Sequence, residues 1–312
     1  MTIAVLPALL RPMVEMRLPG WIEPRWWASV EEMHAHAPEA EIGWFDMHEK
    51  PPFLAAVELA RGLKWLNTLY AGVDFLPLEE LAARGVRVTN GAGLTATQVA
   101  EFAVMTMLTV AKDYRAVVRA QDRSEWLGAA PGIRQLAGSR ALMLGMGAIG
   151  REIAKMLGGF GVEVVPVRRS PGAGELGPED WKAQLGTFDW IVLALPGTGE
   201  TVGLIGAEEF AAMKRDAVLI NFARADILDQ QALVAALKDK RIAAAVLDLT
   251  DPEPLPAGHE LWSIENAHIT MHLSGIPTPA SMMRAADRFL VNCERWRAGD
   301  ALESQVDLSN GY

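Results

Sequence analysis

The six residues Gly145-Met146-Gly147-Ala148-Ile149-Gly150 have the spacing of a loop that cradles a pyrophosphate. They follow an apolar run, Ala141–Leu144, and lead into an amphipathic stretch, Arg151–Leu157, which is the strand–turn–helix setting that dinucleotide binding requires. In that setting Gly145 permits the tight turn, Gly147 admits the pyrophosphate to the backbone, and Gly150 lets helix and strand pack closely. The helix N-terminus, opened by Ala148 and Ile149, then offers free amides and a partial positive charge to the anion. An acidic residue at the end of the next strand would accept a ribose 2′-hydroxyl, but that strand, Val162–Val167, ends in Arg168-Arg169-Ser170. Two guanidinium groups and a hydroxyl suit a 2′-phosphate, so NADP is the preferred coenzyme on this reading and NAD the second candidate.

Further along come Ala194-Leu195-Pro196-Gly197-Thr198-Gly199-Glu200-Thr201, then Leu219-Ile220-Asn221-Phe222-Ala223-Arg224, then Leu247-Asp248 through Glu253-Pro254-Leu255-Pro256, and Ile269-Thr270-Met271-His272. With the glycine loop and Tyr70-Ala71-Gly72-Val73-Asp74, this series resembles the D-isomer-specific 2-hydroxyacid dehydrogenases over nearly the whole chain. The length, the Trp44 region and the end Gln305-Val306-Asp307…Gly311-Tyr312 are most similar to the bacterial glyoxylate/hydroxypyruvate reductase A branch. The resemblance implies an enzyme with Arg224, Glu253 and His272 as catalytic residues. It implies coenzyme contacts from Leu195, Pro196, Thr201, Phe222, Ala223 and Asp248, the last holding the nicotinamide carboxamide. It also implies a substrate-carboxylate loop at Tyr70, Ala71, Gly72 and Val73 with Trp44 beside it. A homodimer through the nucleotide-binding lobe follows from the same likeness, with the loop Ser124–Pro131 and its Trp126 reaching the partner's active site. Two positions depart from the family's pattern: Ala225 stands where glycine is usual, and Met271 where proline is usual.

The chemistry of such a site can be stated directly. Delivering a hydride to C2 of a 2-keto acid requires a cation for the carboxylate and a proton donor for the carbonyl oxygen. Arg224 suits the first role through paired charge-assisted bonds, and it can polarise the carbonyl. His272 suits the second, because an imidazole changes charge near neutrality. Glu253, bonded to the other ring nitrogen, would orient it. Each residue alone is ordinary, since a surface ion pair, an acid in a Pro-rich turn and a core histidine are all common. Their order within a nucleotide-binding frame is what points to NADPH-dependent reduction of small 2-keto acids such as glyoxylate and hydroxypyruvate. Large aromatic groups at Trp44, Tyr70 and Trp126 predict a pocket for short acids. Two other readings compete: a dinucleotide-sensing, corepressor-like binding protein, and another 2-hydroxyacid dehydrogenase such as 3-phosphoglycerate dehydrogenase, for which a further regulatory domain would be expected.

Short apolar runs alternate with amphipathic stretches almost throughout, which predicts an α/β fold with parallel sheets. In the first ninety residues the pattern predicts strands at Thr2–Leu6, Glu41–Phe45, Lys64–Tyr70 and Val86–Asn90, and helices around Arg25–Ala35, Phe53–Arg61 and Leu78–Arg84. The loops His48–Pro52, Ala71–Asp74 and Gly91–Thr95 then lie at strand carboxyl ends, where doubly wound sheets bind ligands. From Thr95 to about Gln121 there is neither Gly nor Pro, and one long helix is expected. A second series of strands follows, at Ala141–Leu144, Val162–Val167, Trp190–Leu195, Ala217–Phe222, Ala243–Leu247 and His268–Thr270, before a last helix at about Pro279–Arg297. The expected architecture is two doubly wound parallel-sheet lobes. A Rossmann nucleotide-binding domain, 98–276, is inserted into a smaller flavodoxin-like substrate domain, 1–97 and 277–312.

Composition sets the outer limits. With 50% apolar and 22% charged residues among 312, wholesale disorder is excluded. A net charge of −10 without a long basic run disfavours nucleic acid and anionic membranes as partners, leaving a small molecule. The single cysteine, Cys293, excludes an intramolecular disulfide framework and cysteine-rich zinc modules, and fits a reducing, cytoplasmic setting. Ile3–Leu10 reads as a strand and not as a signal peptide, and no apolar run reaches the roughly 18 residues of a membrane span. His34 and His36 cannot share a helix face, so no metal is expected there.

Overall fold

The computed structural model describes residues 1–47 and 49–310; His48, the start of one expected loop, and Gly311 and Tyr312, the end of the C-terminal motif, lie outside the described residues. The chain divides into two compact units, residues 1–95 with 277–312, and residues 96–276.

The first unit is built on a five-stranded parallel sheet of β1 (Thr2–Pro7), β2 (Ile22–Trp27), β3 (Ile42–Gly43), β4 (Trp65–Asn67) and β5 (Arg87–Thr89), in the order β2-β1-β3-β4-β5. That order is the flavodoxin-like one. Helices α1 (Arg11–Val14), α2 (Val30–His36), α3 (Lys50–Leu59) and α4 (Leu78–Ala83) connect the strands. Alternation along β1 sends Val5 to one core with Phe45, Phe53 and Leu66, and Ala4 and Leu6 to another with Trp44, Trp65 and Phe289. Two expectations are corrected here. Residues 25–27, predicted as helix, belong to β2; Pro24 is tolerated because this strand lies at the sheet edge. Lys50-Pro51-Pro52, predicted as loop, form the first turn of α3, where proline's missing N–H costs nothing.

The second unit opens with α5 (Ala96–Lys112) and α6 (Tyr114–Asp122), where a single helix was expected. Asp113 separates them in a left-handed conformation (φ 44°), which a short polar side chain adopts at modest cost without any Gly or Pro to announce it. Six parallel strands follow: β6 (Arg140–Leu144), β7 (Glu163–Val167), β8 (Trp190–Leu193), β9 (Val218–Asn221), β10 (Ala244–Leu247) and β11 (Ala267–Ile269), in the order β11-β10-β9-β8-β6-β7. Helices α7 (Ala148–Gly159), α8 (Ala207–Ala212) and α9 (Gln230–Lys238) complete this unit. Leu142, Leu144, Ile191, Leu193 and Leu219 pack on one face, and Ala141, Met143, Trp190, Val192 and Ile220 on the other. Strands buried on both faces explain the near-continuous apolar runs. The order reverses between β6 and β8, so the loop after β6 emerges at the switch point where such sheets bind ligands.

The last helix, α10 (Pro279–Ala298), belongs to the first unit; Phe289 lies 5.1 Å from both Trp44 and Trp65. Cys293 is buried in the same cluster, and burial pushes its thiol far up. Among the described residues no helix is long and apolar enough to cross a membrane, and no group of three or more His, Cys, Asp or Glu could hold a metal. His34 instead makes a 2.9 Å ring contact to the Pro52 carbonyl.

Candidate active site

The glycine loop's demands are visible in the backbone. A Cβ at Gly145 (φ +99°) would lie 2.5 Å from the Ala194 carbonyl oxygen, and one at Gly150 would lie 2.1 Å from that of Gly145. Both contacts are to backbone, so both positions exclude a side chain. A Cβ at Gly147 would meet nothing within 4 Å. This open space lies at the N-terminal end of the twelve-residue α7, over amides with no partner within the helix, and it fits a pyrophosphate. Leu195 and Pro196 follow β8, and Thr201 closes their loop by donating to the carbonyls of Pro196 and Thr198 and accepting from the Thr198 amide. Phe222 and Ala223 are buried just beyond β9.

Beyond β7, Arg168, Arg169 and Ser170 are all exposed. The sequence places no carboxylate at this strand end, but the fold brings two: Glu175 stands 3.6 Å from Arg168, and Glu200 stands 2.8 Å from Arg169. The strand end itself carries no carboxylate, as expected, but both arginines have acidic neighbours from elsewhere in the chain. Neither glutamate was legible, because one arrives by a turn and the other from the loop after β8.

Arg224 is half-buried after β9; its Nη1 donates to the Ala223 carbonyl, and Asn221 Nδ2 donates to the Arg224 carbonyl, both at 2.8 Å. Its side chain passes Gly197, where a Cβ would stand 2.9 Å from Arg224 Cγ. Ala225 begins a short 3₁₀ helix outside the left-handed region, so replacing the usual glycine carries no backbone strain. Met271 is different. It and His272 sit at φ 55° and 56°, a region closed to proline, whose φ is locked near −65°.

Glu253 Oε1 lies 2.8 Å from His272 Nδ1, with both side chains partly exposed. His272 Nε2 has no hydrogen-bond partner among the described residues. Asp248 follows β10 directly and is 2% exposed; its oxygens accept from Thr270 Oγ1 at 2.5 Å and from Ser274 Oγ. His268 is a different kind of histidine: burial, and after it the Arg115 charge, push it down to about 4, so it stays neutral.

In the first unit, Tyr70-Ala71-Gly72-Val73 follows β4. No described residue accepts from the amides of Ala71, Gly72 or Val73, while the Ala71 carbonyl accepts from Asn90 Nδ2 at 2.7 Å. Consecutive amides without internal partners suit an anion. Trp44, expected as a pocket wall, is a core residue, 1% exposed, donating from Nε1 to Asp46 Oδ2 at 2.7 Å. Tyr70 donates its hydroxyl to the Met47 carbonyl and packs edge-on against Phe75 at 5.2 Å, so it braces its loop from behind. Asp46 escaped the sequence reading. It also accepts from Thr68 Oγ1 and the Leu69 amide, and burial pushes its carboxyl up to about 6 against those bonds. Its only signal was an acid closing the apolar run Ile42–Phe45.

A phosphate-ready helix end at the switch point of one sheet, with an arginine after β9 and a carboxylate-anchored histidine after β11 of the same sheet, defines a dinucleotide-dependent oxidoreductase. Residues 104–274 match the D-isomer specific 2-hydroxyacid dehydrogenase, NAD binding domain. Over 261 residues the chain is 34% identical to the glyoxylate reductase/hydroxypyruvate reductase of Mus musculus, covering 79% of this chain and 77% of the mouse protein. A D-isomer specific 2-hydroxyacid dehydrogenase family protein from Aeromonas salmonicida subsp. salmonicida A449 superposes with a TM-score of 0.86 at 28% identity, over 98% of this chain and 99% of that one. A second such dehydrogenase, from Xanthobacter autotrophicus Py2 in complex with NADPH and MES, gives 0.79 at 30% identity, over 100% and 99%. The chain belongs to the D-isomer specific 2-hydroxyacid dehydrogenase family, whose members are NAD(P)-dependent enzymes.

Proposed function

We propose that the chain reduces small 2-keto acids, glyoxylate and hydroxypyruvate among them, to 2-hydroxy acids with NADPH. The observation that carries this reading is the 2.8 Å contact of Glu253 with His272 Nδ1, which leaves Nε2 to donate a proton. The reduced nicotinamide, when bound, supplies the hydride. Arg224 binds the carboxylate and polarises the carbonyl, His272 protonates the developing oxyanion, and Glu253 fixes the ring. The amides of Ala71, Gly72 and Val73 are read as carboxylate donors, with Tyr70 supporting their loop. Gly145, Gly147, Ala148, Ile149 and Gly150 take the pyrophosphate; Arg168, Arg169 and Ser170 take the 2′-phosphate; Leu195, Pro196, Thr201, Phe222, Ala223 and Asp248 complete the coenzyme contacts. Relatives named as glyoxylate reductases, including those of mouse and Thermococcus litoralis, and the NADPH-bound Xanthobacter structure support the choice.

The test is oxidation of NADPH on adding a panel of acids. Glyoxylate and hydroxypyruvate are expected to exceed phenylpyruvate in kcat/KM. A clear preference for the bulky acid would overturn the small-acid reading, and no turnover with any acid would favour the corepressor-like alternative.

We also infer a homodimer formed through the unit of residues 96–276. Trp126 and Ile133 are 98% and 85% exposed there, and large apolar side chains left in water on one segment call for a cover. Light scattering is expected to give twice the chain mass; a single-chain mass at micromolar concentration counts against it.

A further inference from the structure

The turn that carries His272 is held in an unusual way. Met271 and His272 are consecutive non-glycine residues in the left-handed region, a conformation that persists only where the surroundings enforce it. Proline could not occupy position 271 at this φ, so no ring stiffens the turn. Its stiffness comes from Asp248. Thr270 Oγ1 donates to Oδ1, Ser274 Oγ donates to Oδ2, and the His272 amide donates to the Asp248 carbonyl at 2.6 Å. One residue at the end of β10 therefore grips the turn before, at and after the histidine.

Asp248 and Ser274 are each 2% exposed, so water does not compete for these bonds. A carboxylate is an acceptor only, and two hydroxyl donors satisfy it where solvent cannot. On the far side, Gln98 Nε2 donates to the carbonyls of Ser274 and Ile276 at 2.7 and 2.8 Å, tying the same segment to α5. The Gln98 side-chain oxygen is buried with no partner, so the two amide bonds from Nε2 are what this side chain contributes here. Glu253 fixes only the rotation of the imidazole; the placement of its Cα depends on the Asp248 clamp.

We propose that Ser274 is a positioning residue that acts through the Asp248 carboxylate to hold the His272 ring where its Nε2 meets the substrate carbonyl. The inference rests on the reading of His272 as proton donor. Ser274 touches neither substrate nor coenzyme on this account, and in its absence Thr270 Oγ1 still holds the Asp248 carboxylate for its coenzyme contact, so its loss acts chiefly on proton transfer.

The experiment is a double-mutant cycle on the full chain with Ser274→Ala and His272→Ala, read by single-turnover NADPH oxidation at saturating glyoxylate, with NADPH Kd and thermal midpoint measured in parallel. Ser274→Ala alone is expected to lower the rate about tenfold, since small misplacements of a reacting group carry penalties of that order, with KM and NADPH Kd held within about twofold. In the His272→Ala background the same change is expected to cost nothing further, because there is no ring left to misplace. Thr270→Ser, which keeps a hydroxyl for Oδ1, is expected to retain most of the wild-type rate. An equal loss in both backgrounds would show a merely structural role and overturn the proposal. A Ser274→Ala rate within twofold of wild type would overturn it too, while a slow His272→Ala enzyme would leave the proton-donor reading standing. Full turnover in His272→Ala would remove that reading and the positioning role together.

Discussion

Turnover of His272→Ala at saturating glyoxylate and NADPH is expected to fall by about 10²–10⁴, the usual contribution of a positioned acid, with NADPH affinity held within about twofold. The expectation rests on how little else the ring does. The bonds that shape the turn run from Thr270, Ser274 and the His272 backbone amide to Asp248, and alanine preserves all three. What disappears is the imidazole with its Glu253 contact. Arg224 and the nucleotide loop are untouched, so the residual rate should be that of a bound substrate with a polarised carbonyl and no proton donor. Glu253→Ala is expected to fall between, at about tenfold. A contact whose partners are 48% and 40% exposed contributes little through charge in water, and its value lies in orienting the ring. His268 offers no substitute donor, since it lies within β11, mostly buried and held neutral. A wild-type rate in His272→Ala would move the proton donor elsewhere.

The parts of this site that were legible in the sequence are those where backbone geometry leaves one choice of residue. Gly145 and Gly150 face carbonyl oxygens at distances no Cβ can occupy, and such constraints write themselves into a motif. Strands buried on both faces were found for a related reason, because nearly every position along them is apolar. Prediction failed where tertiary position overrode local pattern. Ile22–Trp27 is interrupted by Pro24 and carries Glu23 and Arg25, so it reads poorly as strand, yet an edge position next to β1 accommodates it. The break at Asp113 needed neither Gly nor Pro. Trp44 fell near the expected substrate loop by sequence, but its ring turned to the core because Phe289, more than two hundred residues away, completes the cluster there. Asp46, Gln98 and Ser274 were invisible for the same reason: each is defined by polar atoms that the fold alone brings within reach.

The coenzyme corner shows that a long-range partner can alter a motif's meaning, and it yields the second large effect. Arg168 and Arg169 follow β7 where an acid would favour NADH, but each stands beside a carboxylate, Glu175 and Glu200. The question is whether those glutamates cancel the arginines. Exposed ion pairs are worth about 0–1 kcal/mol, whereas a hydrogen bond to a charged group is worth about 1.5–3 kcal/mol, so a 2′-phosphate is expected to outcompete the glutamates for at least one guanidinium. On that comparison NADPH should exceed NADH in kcat/KM by roughly tenfold or more, with the pairs trimming the upper end of the range. Arg168→Asp is expected to raise KM for NADPH by roughly tenfold to a hundredfold, because it removes the donor and sets a new negative charge beside Glu175 against the phosphate. NADH carries no 2′-phosphate, so its kcat/KM should stay nearly constant or improve as the new carboxylate accepts a ribose hydroxyl. Both coenzymes are to be measured with wild type and variant at saturating glyoxylate and one ionic strength, since salt screens contacts this exposed. A wild-type preference for NADH, or an equal loss for both coenzymes in Arg168→Asp, would mean that the arginines serve Glu175 and Glu200 and do not read the phosphate.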